Sequence, residues 1–327
     1  MTGTARTKTI FARSTGILLA GLALSAVAPV VSASDAKPKS APVARTPYIT
    51  QAPIVMLKDL DSGQILFSRG ADKRFAPASM TKVMTAYVVL DLVKRGQLSR
   101  DKVFTVDDAT WKKWSARSRS STMFLRSGEK ISVDDLLKGL ITVSGNDAAA
   151  VLAVGIDGSE EAFAKRMNGV ASRIGMSSSN FGTPSGWPDG GVTKVSAGDL
   201  VLLADRLIRD HPDGYARYFS IPKLEHGTSP DGKPIVQSNR NPILGRFVGA
   251  DGLKTGHTTE AGYCFLGSAK RDGRRLIMVV AGMPSEKARR DEAERLMAWG
   301  FAPGNAPVVA QTGRGGAQKG KKTAATP

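Results

Sequence analysis

Two short apolar runs, residues 53–59 (PIVMLKD) and 64–69 (QILFSR), flank the turn residues Asp61, Ser62 and Gly63. Strand-length runs around such a turn predict a β-hairpin. The pattern then changes period, and residues 79–93 read as a helix. Leu136, Leu137, Leu140 and Ile141 form one face of a second helix, opened by Ser132-Val133-Asp134-Asp135, which resembles a capping box. Phe163, Met167, Val170 and Ile174 recur at i, i+4, i+7 and i+11 and mark another buried helix face. A further helix starts at Ser196 and runs to about Ile208. Near the C-terminus, residues 263–270 and 274–282 flank Arg271-Asp272-Gly273, an Asp-Gly hairpin signal. A last helix over 286–299 is expected to stop at Gly300. Strands at both ends with helices between predict an α+β fold, an antiparallel sheet with a large helical insertion rather than alternating βαβ units.

The ends of the chain have a different texture. Arg6, Lys8 and Arg13 precede an apolar run from Ile17 toward Val31, and Val31-Ser32-Ala33 supplies the small residues a signal peptidase reads. Residues 1–33 are therefore expected to be a secretory signal cleaved after Ala33. Residues 34–47, rich in Ala, Pro, Lys and Ser, read as a flexible linker. Residues 304–327 read as a disordered basic tail rich in Gly, Ala and Lys, without the apolar stripe of an amphipathic anchor. One body, residues 48–303, remains between them.

Export changes the meaning of the charge. The 327 residues carry 46 Lys and Arg against 29 Asp and Glu, a formal net charge of +17. In an exported chain without nucleic-acid motifs, that charge points to an anionic envelope surface rather than to nucleic acid, with at most peripheral membrane or wall contact. The single cysteine, Cys264, lies among apolar strand residues and reads as a buried small hydrophobe. The histidines His211, His226 and His257 are scattered, so no metal or other cofactor is expected.

Three short motifs could carry chemistry. In "APASMTKVMTAY" (residues 76–87), Ser79 and Lys82 stand one helical turn apart at a helix start. Taken alone they read as a cap and a solvated lysine. As chemistry, serine needs a base, and lysine serves only when neutral, so burial and a second cation are required. The backbone N–H groups at the helix start would favour the developing negative charge, with the Ser79 N–H facing a substrate oxyanion. Ser144-Gly145-Asn146 reads as a helix–helix turn, or as a proton relay (Ser144) and an amide that orients Lys82 (Asn146). Lys254-Thr255-Gly256-His257 reads as an edge strand decorated with lysine, or as a strand along which a peptide lies, Gly256 permitting the close approach. There Lys254 would be the cation that depresses Lys82, Thr255 would hold a carboxylate, and the His257 N–H would be the second oxyanion donor.

SxxK, SxN and KTG in this order are the signature of the penicillin-recognising serine enzymes. The chain resembles the low-molecular-mass penicillin-binding proteins, the serine-type D-alanyl-D-alanine carboxypeptidases of the bacterial periplasm. The likeness covers about residues 47–301, including "PASMTKVMTAYVV", "MFLRSGEKISVDDLLKGLITVSGNDAAAVLA", "SNRNPILG", "GLKTGHTTEAGYCFLGSA" and "WGF". It implies a DD-peptidase/serine β-lactamase-like fold with the active site between sheet and helical subdomain. It implies that Ser79 attacks the penultimate D-Ala carbonyl of a peptidoglycan stem peptide, that Lys82 is the base, and that β-lactams trap Ser79. Ser144, Asn146 and Lys254 match the family's remaining catalytic positions, His257 follows the KTG triplet, and Arg240 in "SNRNP" is a candidate for the terminal carboxylate.

Typical members continue into a β-rich second domain and a membrane-docking amphipathic helix, so an anchor of that kind is not expected here. Shorter relatives include DD-endopeptidases that cut cross-links, which remains an alternative. A class A β-lactamase would need a Glu-x-x-Leu-Asn context that Glu160 and Glu161 lack. A non-catalytic wall-binding protein would have no need of Ser79, Lys82 and Lys254 together.

Overall fold

The computed structural model describes residues 47–115, 120–303 and 305. The expected signal, the linker up to residue 46 and the basic tail apart from Asn305 lie outside the described residues. In chain order come β1 (Ile54–Asp59), β2 (Ile65–Arg69), a 3-10 turn (Ala78–Thr81) continuing into α1 (Lys82–Lys94), β3 (Val103–Thr105), α2 (Asp108–Trp114) and β4 (Lys130–Ser132). A helical run follows: α3 (Val133–Thr142), α4 (Asn146–Asp157), α5 (Glu160–Ile174), α6 (Ala197–Asp210) and α7 (Pro212–Tyr218). The chain returns to strands with β5 (Lys223–Thr228), β6 (Pro234–Ser238), β7 (Ala250–Thr258), β8 (Gly262–Arg271) and β9 (Arg274–Met283), then ends its described part with α8 (Glu286–Phe301).

The predicted α+β architecture is present. Among the described residues, five strands pair antiparallel in the order β2-β1-β9-β8-β7. The two ends of the fold meet where β1 lies against β9. Strand side chains alternate between faces. Ile54 and Met56 join Ile277, Val279 and Ala281 in the core shared with the helical run. Val55 and Leu57 join Leu276, Met278 and Val280 in a second core, closed by Ala293, Leu296 and Met297 of α8. A sheet covered on both faces explains why these strands read as continuous apolar runs. Each such Val, Leu, Ile or Met side chain contributes roughly 1.5–3 kcal/mol on burial.

Serine caps set the helix starts. Ser132, Ser159, Ser196 and Ser285 accept the N–H of Asp135, Ala162, Asp199 and Ala288 at 3.0–3.1 Å, each worth about 1 kcal/mol. Asp134 ties α3 to α7: its carboxylate accepts two bonds from the Arg217 guanidinium at 2.7 Å and one from the Tyr218 hydroxyl at 2.6 Å. Arg217 first, helped by Lys138 and Tyr218, holds the Asp134 carboxyl well below the usual carboxylate range.

Two expectations change. Gly300 does not stop the last helix, which runs through it to Phe301. A Cβ on Gly300 would lie 2.6 Å from Leu57 Cδ2, so this glycine serves the contact of α8 with the sheet. Ser79 stands in the 3-10 turn ahead of α1, not on the α-helix itself.

Candidate active site

The 3-10 turn presents Ser79 half-buried, with Ala78 before it at φ +48°. Lys82, the next residue after the turn, is 0% exposed. Its Nζ donates to Ser79 Oγ at 2.9 Å, Asn146 Oδ1 at 2.7 Å and the Ser185 carbonyl at 2.8 Å. An ammonium has three donors, and all three are used. Asn146 is the first residue of α4, and Ser144, at φ +64°, bends the chain from α3 into it. Ser144 Oγ is not among the acceptors of Lys82.

No motif in the sequence points to the Ser185 carbonyl. That loop is held by Thr85 Oγ1, which donates to Pro184 O at 2.6 Å. Gly186, at φ +71°, lets it press on the turn, since a Cβ there would lie 2.0 Å from Ala78 O.

Lys254, Thr255 and Gly256 lie on β7, an edge strand of the sheet. Both sequence readings of this motif thus meet: it is an edge strand, and it borders Ser79. The reason for the glycine differs from the one expected. A Cβ on Gly256 would lie 2.4 Å from Pro77 O, so the backbone that approaches it is the protein's own Ser79 turn. Lys254 is 2% exposed, and among the described residues its Nζ donates to the Thr255 carbonyl, at 3.2 Å. It sits beneath the cleft rather than in its wall.

The electrostatics add a cation to the expected one. The Lys82 amine is pushed down to about 7, first by burial and then by the Arg240 guanidinium, against a raising pull from Asp147. Lys254 and Lys82 oppose each other's charge, for the Lys254 ammonium is itself driven well below the ordinary lysine range by burial, then by Lys82, Arg240 and Arg289. Arg240 is a standing charge, because guanidinium does not deprotonate in proteins.

Ser79, Ser144, Asn146, Arg240, Thr255, Gly256 and His257 line one cleft of about 520 Å³. Arg240 donates to Ser121 Oγ at 2.5 Å across its mouth. The cleft also holds Trp187, Glu286 and Arg289, which sequence reasoning missed. Arg289, from the first turns of α8, is 6% exposed, and its Nε has no hydrogen-bond partner among the described residues. Glu286 precedes it by three positions, so on the sequence the pair reads as an ordinary helix-surface ion pair. Cys264 is fully buried and its thiol is pushed up to about 11 by burial, outside the range of a reactive thiolate.

The arrangement sets a hydroxyl 2.9 Å from an amine that is half neutral near pH 7. Such an amine can take the hydroxyl proton as the oxygen attacks a carbonyl. Two guanidiniums in the same cleft suit an anionic substrate group.

Residues 41–285 match the D-alanyl-D-alanine carboxypeptidase family. The chain is 40% identical over 248 residues to a D-alanyl-D-alanine carboxypeptidase of Escherichia coli, covering 75% of this chain and 60% of the relative. It is 38% identical over 263 residues to one from Haemophilus influenzae, covering 79% and 63%. It therefore spans less than two thirds of the length of these relatives. The crystal structure of a D-alanyl-D-alanine carboxypeptidase from Francisella tularensis superposes with a TM-score of 0.74 at 32% identity, covering 81% of this chain and 73% of that one. A penicillin-binding protein from Listeria monocytogenes, in its ampicillin-bound form, gives 0.66 at 33% identity, covering 79% and 100%.

Proposed function

The chain belongs to the D-alanyl-D-alanine carboxypeptidase family, and from that premise we propose that it is a serine-type peptidase removing the terminal D-Ala from peptidoglycan stem pentapeptides. The observation that carries this reading is the 2.9 Å contact of Ser79 Oγ with a fully buried amine pushed down to about 7.

In the proposed mechanism, neutral Lys82 takes the Ser79 proton as Oγ bonds to the penultimate D-Ala carbonyl. The Ser79 and His257 N–H groups receive the oxyanion. Asn146 Oδ1 holds the Lys82 amine in place. The terminal carboxylate rests against Arg240, Thr255 and Arg289, drawn by the two guanidiniums. As the peptide bond breaks, Ser144 passes the proton from Lys82 to the leaving amine of D-Ala. Water then attacks the acyl-enzyme ester and restores Ser79. A β-lactam follows the first half of this path, because its ring amide takes the place of the scissile peptide.

The same reading places the working chain in the bacterial envelope, with residues 1–33 as its export signal and 48–303 as its catalytic body. Fluorescent penicillin should label the purified chain covalently, and Ser79→Ala should abolish the label; a label that persists in Ser79→Ala overturns the assignment of the nucleophile. Incubation with a stem pentapeptide and a cross-linked muropeptide separates the two peptidase readings. D-Ala release from the pentapeptide is expected, and preferential cutting of the cross-link would make the enzyme an endopeptidase.

A further inference from the structure

A second cleft, of about 710 Å³, lies beside the one just described. The two share a wall. Asp147 lines the second cleft and follows Asn146 of the first, while Thr122 lines the second and follows Ser121 of the first. Trp114 lines the second cleft, and its ring packs edge-on at 5.4 Å against Trp187 of the first. Two large aromatic side chains of the second cleft stand open to water: Trp111, 38% exposed, and Phe124, 41% exposed. Ligand sites are concave and lined by aromatic side chains with a few polar groups, which fits exposed aromatics gathered in a cleft. Phe124 adds an independent sign. Its backbone is at φ +64°, a conformation that a bulky residue rarely adopts, and it holds the ring outward. Lys112 and Arg126 flank the rings as hydrogen-bond donors.

We propose that this second cleft binds an N-acetylated hexosamine of the glycan strand that carries the stem peptide. The proposal rests on the peptidase reading of the neighbouring cleft. A pyranose presents C–H bonds on one face and hydroxyl, amide and ether groups on its rim. Flat rings with polar donors at the edge match both parts, whereas a lipid chain would match only the rings. The substrate itself supplies the occupant, because the peptide that enters the first cleft is covalently joined to such sugars and the second cleft opens beside it. The glycan therefore adds contacts made equally before and during reaction, which lower KM more than they raise kcat.

The test compares D-Ala release from a free stem pentapeptide and from the same pentapeptide on an N-acetylglucosaminyl-N-acetylmuramoyl disaccharide. It also follows tryptophan fluorescence on adding an N-acetylglucosamine tetramer that carries no peptide. The wild-type chain should favour the sugar-bearing substrate by about tenfold, through KM. Trp111→Ala and Phe124→Gly should lose that preference and the response to the tetramer, while penicillin labelling stays unchanged. Phe124→Gly relieves its own backbone, so its fold is not at risk. Equal use of both substrates with no response to the tetramer overturns the proposal. So does a chain that self-associates through Phe124 and ignores the tetramer. If neither pentapeptide is cut but the tetramer binds and both variants lose it, the peptidase reading fails and the sugar site stands.

Discussion

At the scale of single residues, the site turns on the charge of Lys82. Burial in a cage of three acceptors disfavours the ammonium less than burial alone would, because Asp147 pulls the other way. Arg240 restores the balance toward the neutral amine. The sign of the pH dependence follows. If neutral Lys82 is the base, acylation by penicillin rises with pH through about 7 and levels above it, falling roughly tenfold per unit on the acid side. Arg240→Gln removes a positive charge that opposes the ammonium, so the limb should move to higher pH. D-Ala release should also fall by about tenfold or more, as a charged contact to the substrate carboxylate is lost. Arg240→Lys keeps the charge and should hold the limb near its original place. Stopped-flow acylation across pH 5–10 checks this, and an Arg240→Gln limb that stays put would leave burial as the sole cause.

At the scale of elements, the nucleophile is positioned by backbone pressed on backbone. The start of the 3-10 turn is clamped between Gly256 of β7 and Gly186 of the loop between α5 and α6, each too close to a carbonyl oxygen, that of Pro77 or Ala78, for a Cβ. Gly256→Ala must displace either β7 or the turn, since a carbonyl has no rotamer to change. It should slow penicillin acylation by about a hundredfold while costing roughly 1–3 kcal/mol in unfolding experiments. Gly273→Ala, in the β8–β9 turn at φ +80° with no atom near, is the contrast: some stability lost, acylation retained. Wild-type acylation by Gly256→Ala would show that the clamp is not needed.

This is also where the sequence stopped being legible. Helix faces such as Phe163, Met167, Val170 and Ile174 and the serine caps depend on local spacing, and they were readable. So were the motifs around Ser79, Ser144 and Lys254. The Ser185 carbonyl, Arg289 and the true reason for Gly256 depend on which distant backbones meet, and no local pattern encodes that. The short β3 and β4, three residues each, have no period to detect.

At the scale of the whole molecule, the charge exceeds what the cleft needs. Of the net +17, Arg6, Lys8 and Arg13 contribute three and would leave with the expected signal, so +14 remains on residues 34–327. The proposed substrate polymer sits in an anionic wall, and a chain of this net charge would be held there without specific contacts. Such holding is screened by salt, while the desolvated contacts of the cleft are screened far less. The chain lacking residues 1–33 should therefore bind isolated walls bearing anionic polymers at about 0.05 M NaCl and elute toward about 1 M, where the screening length falls to ~3 Å. Over the same range, acylation by benzylpenicillin should change by less than about threefold. Removing residues 304–327, with Arg314, Lys319, Lys321 and Lys322, should shift elution to lower salt without touching acylation. Retention that ignores salt would mean that the wall is gripped by shape, through contacts such as the second cleft, and that the surplus charge serves another end.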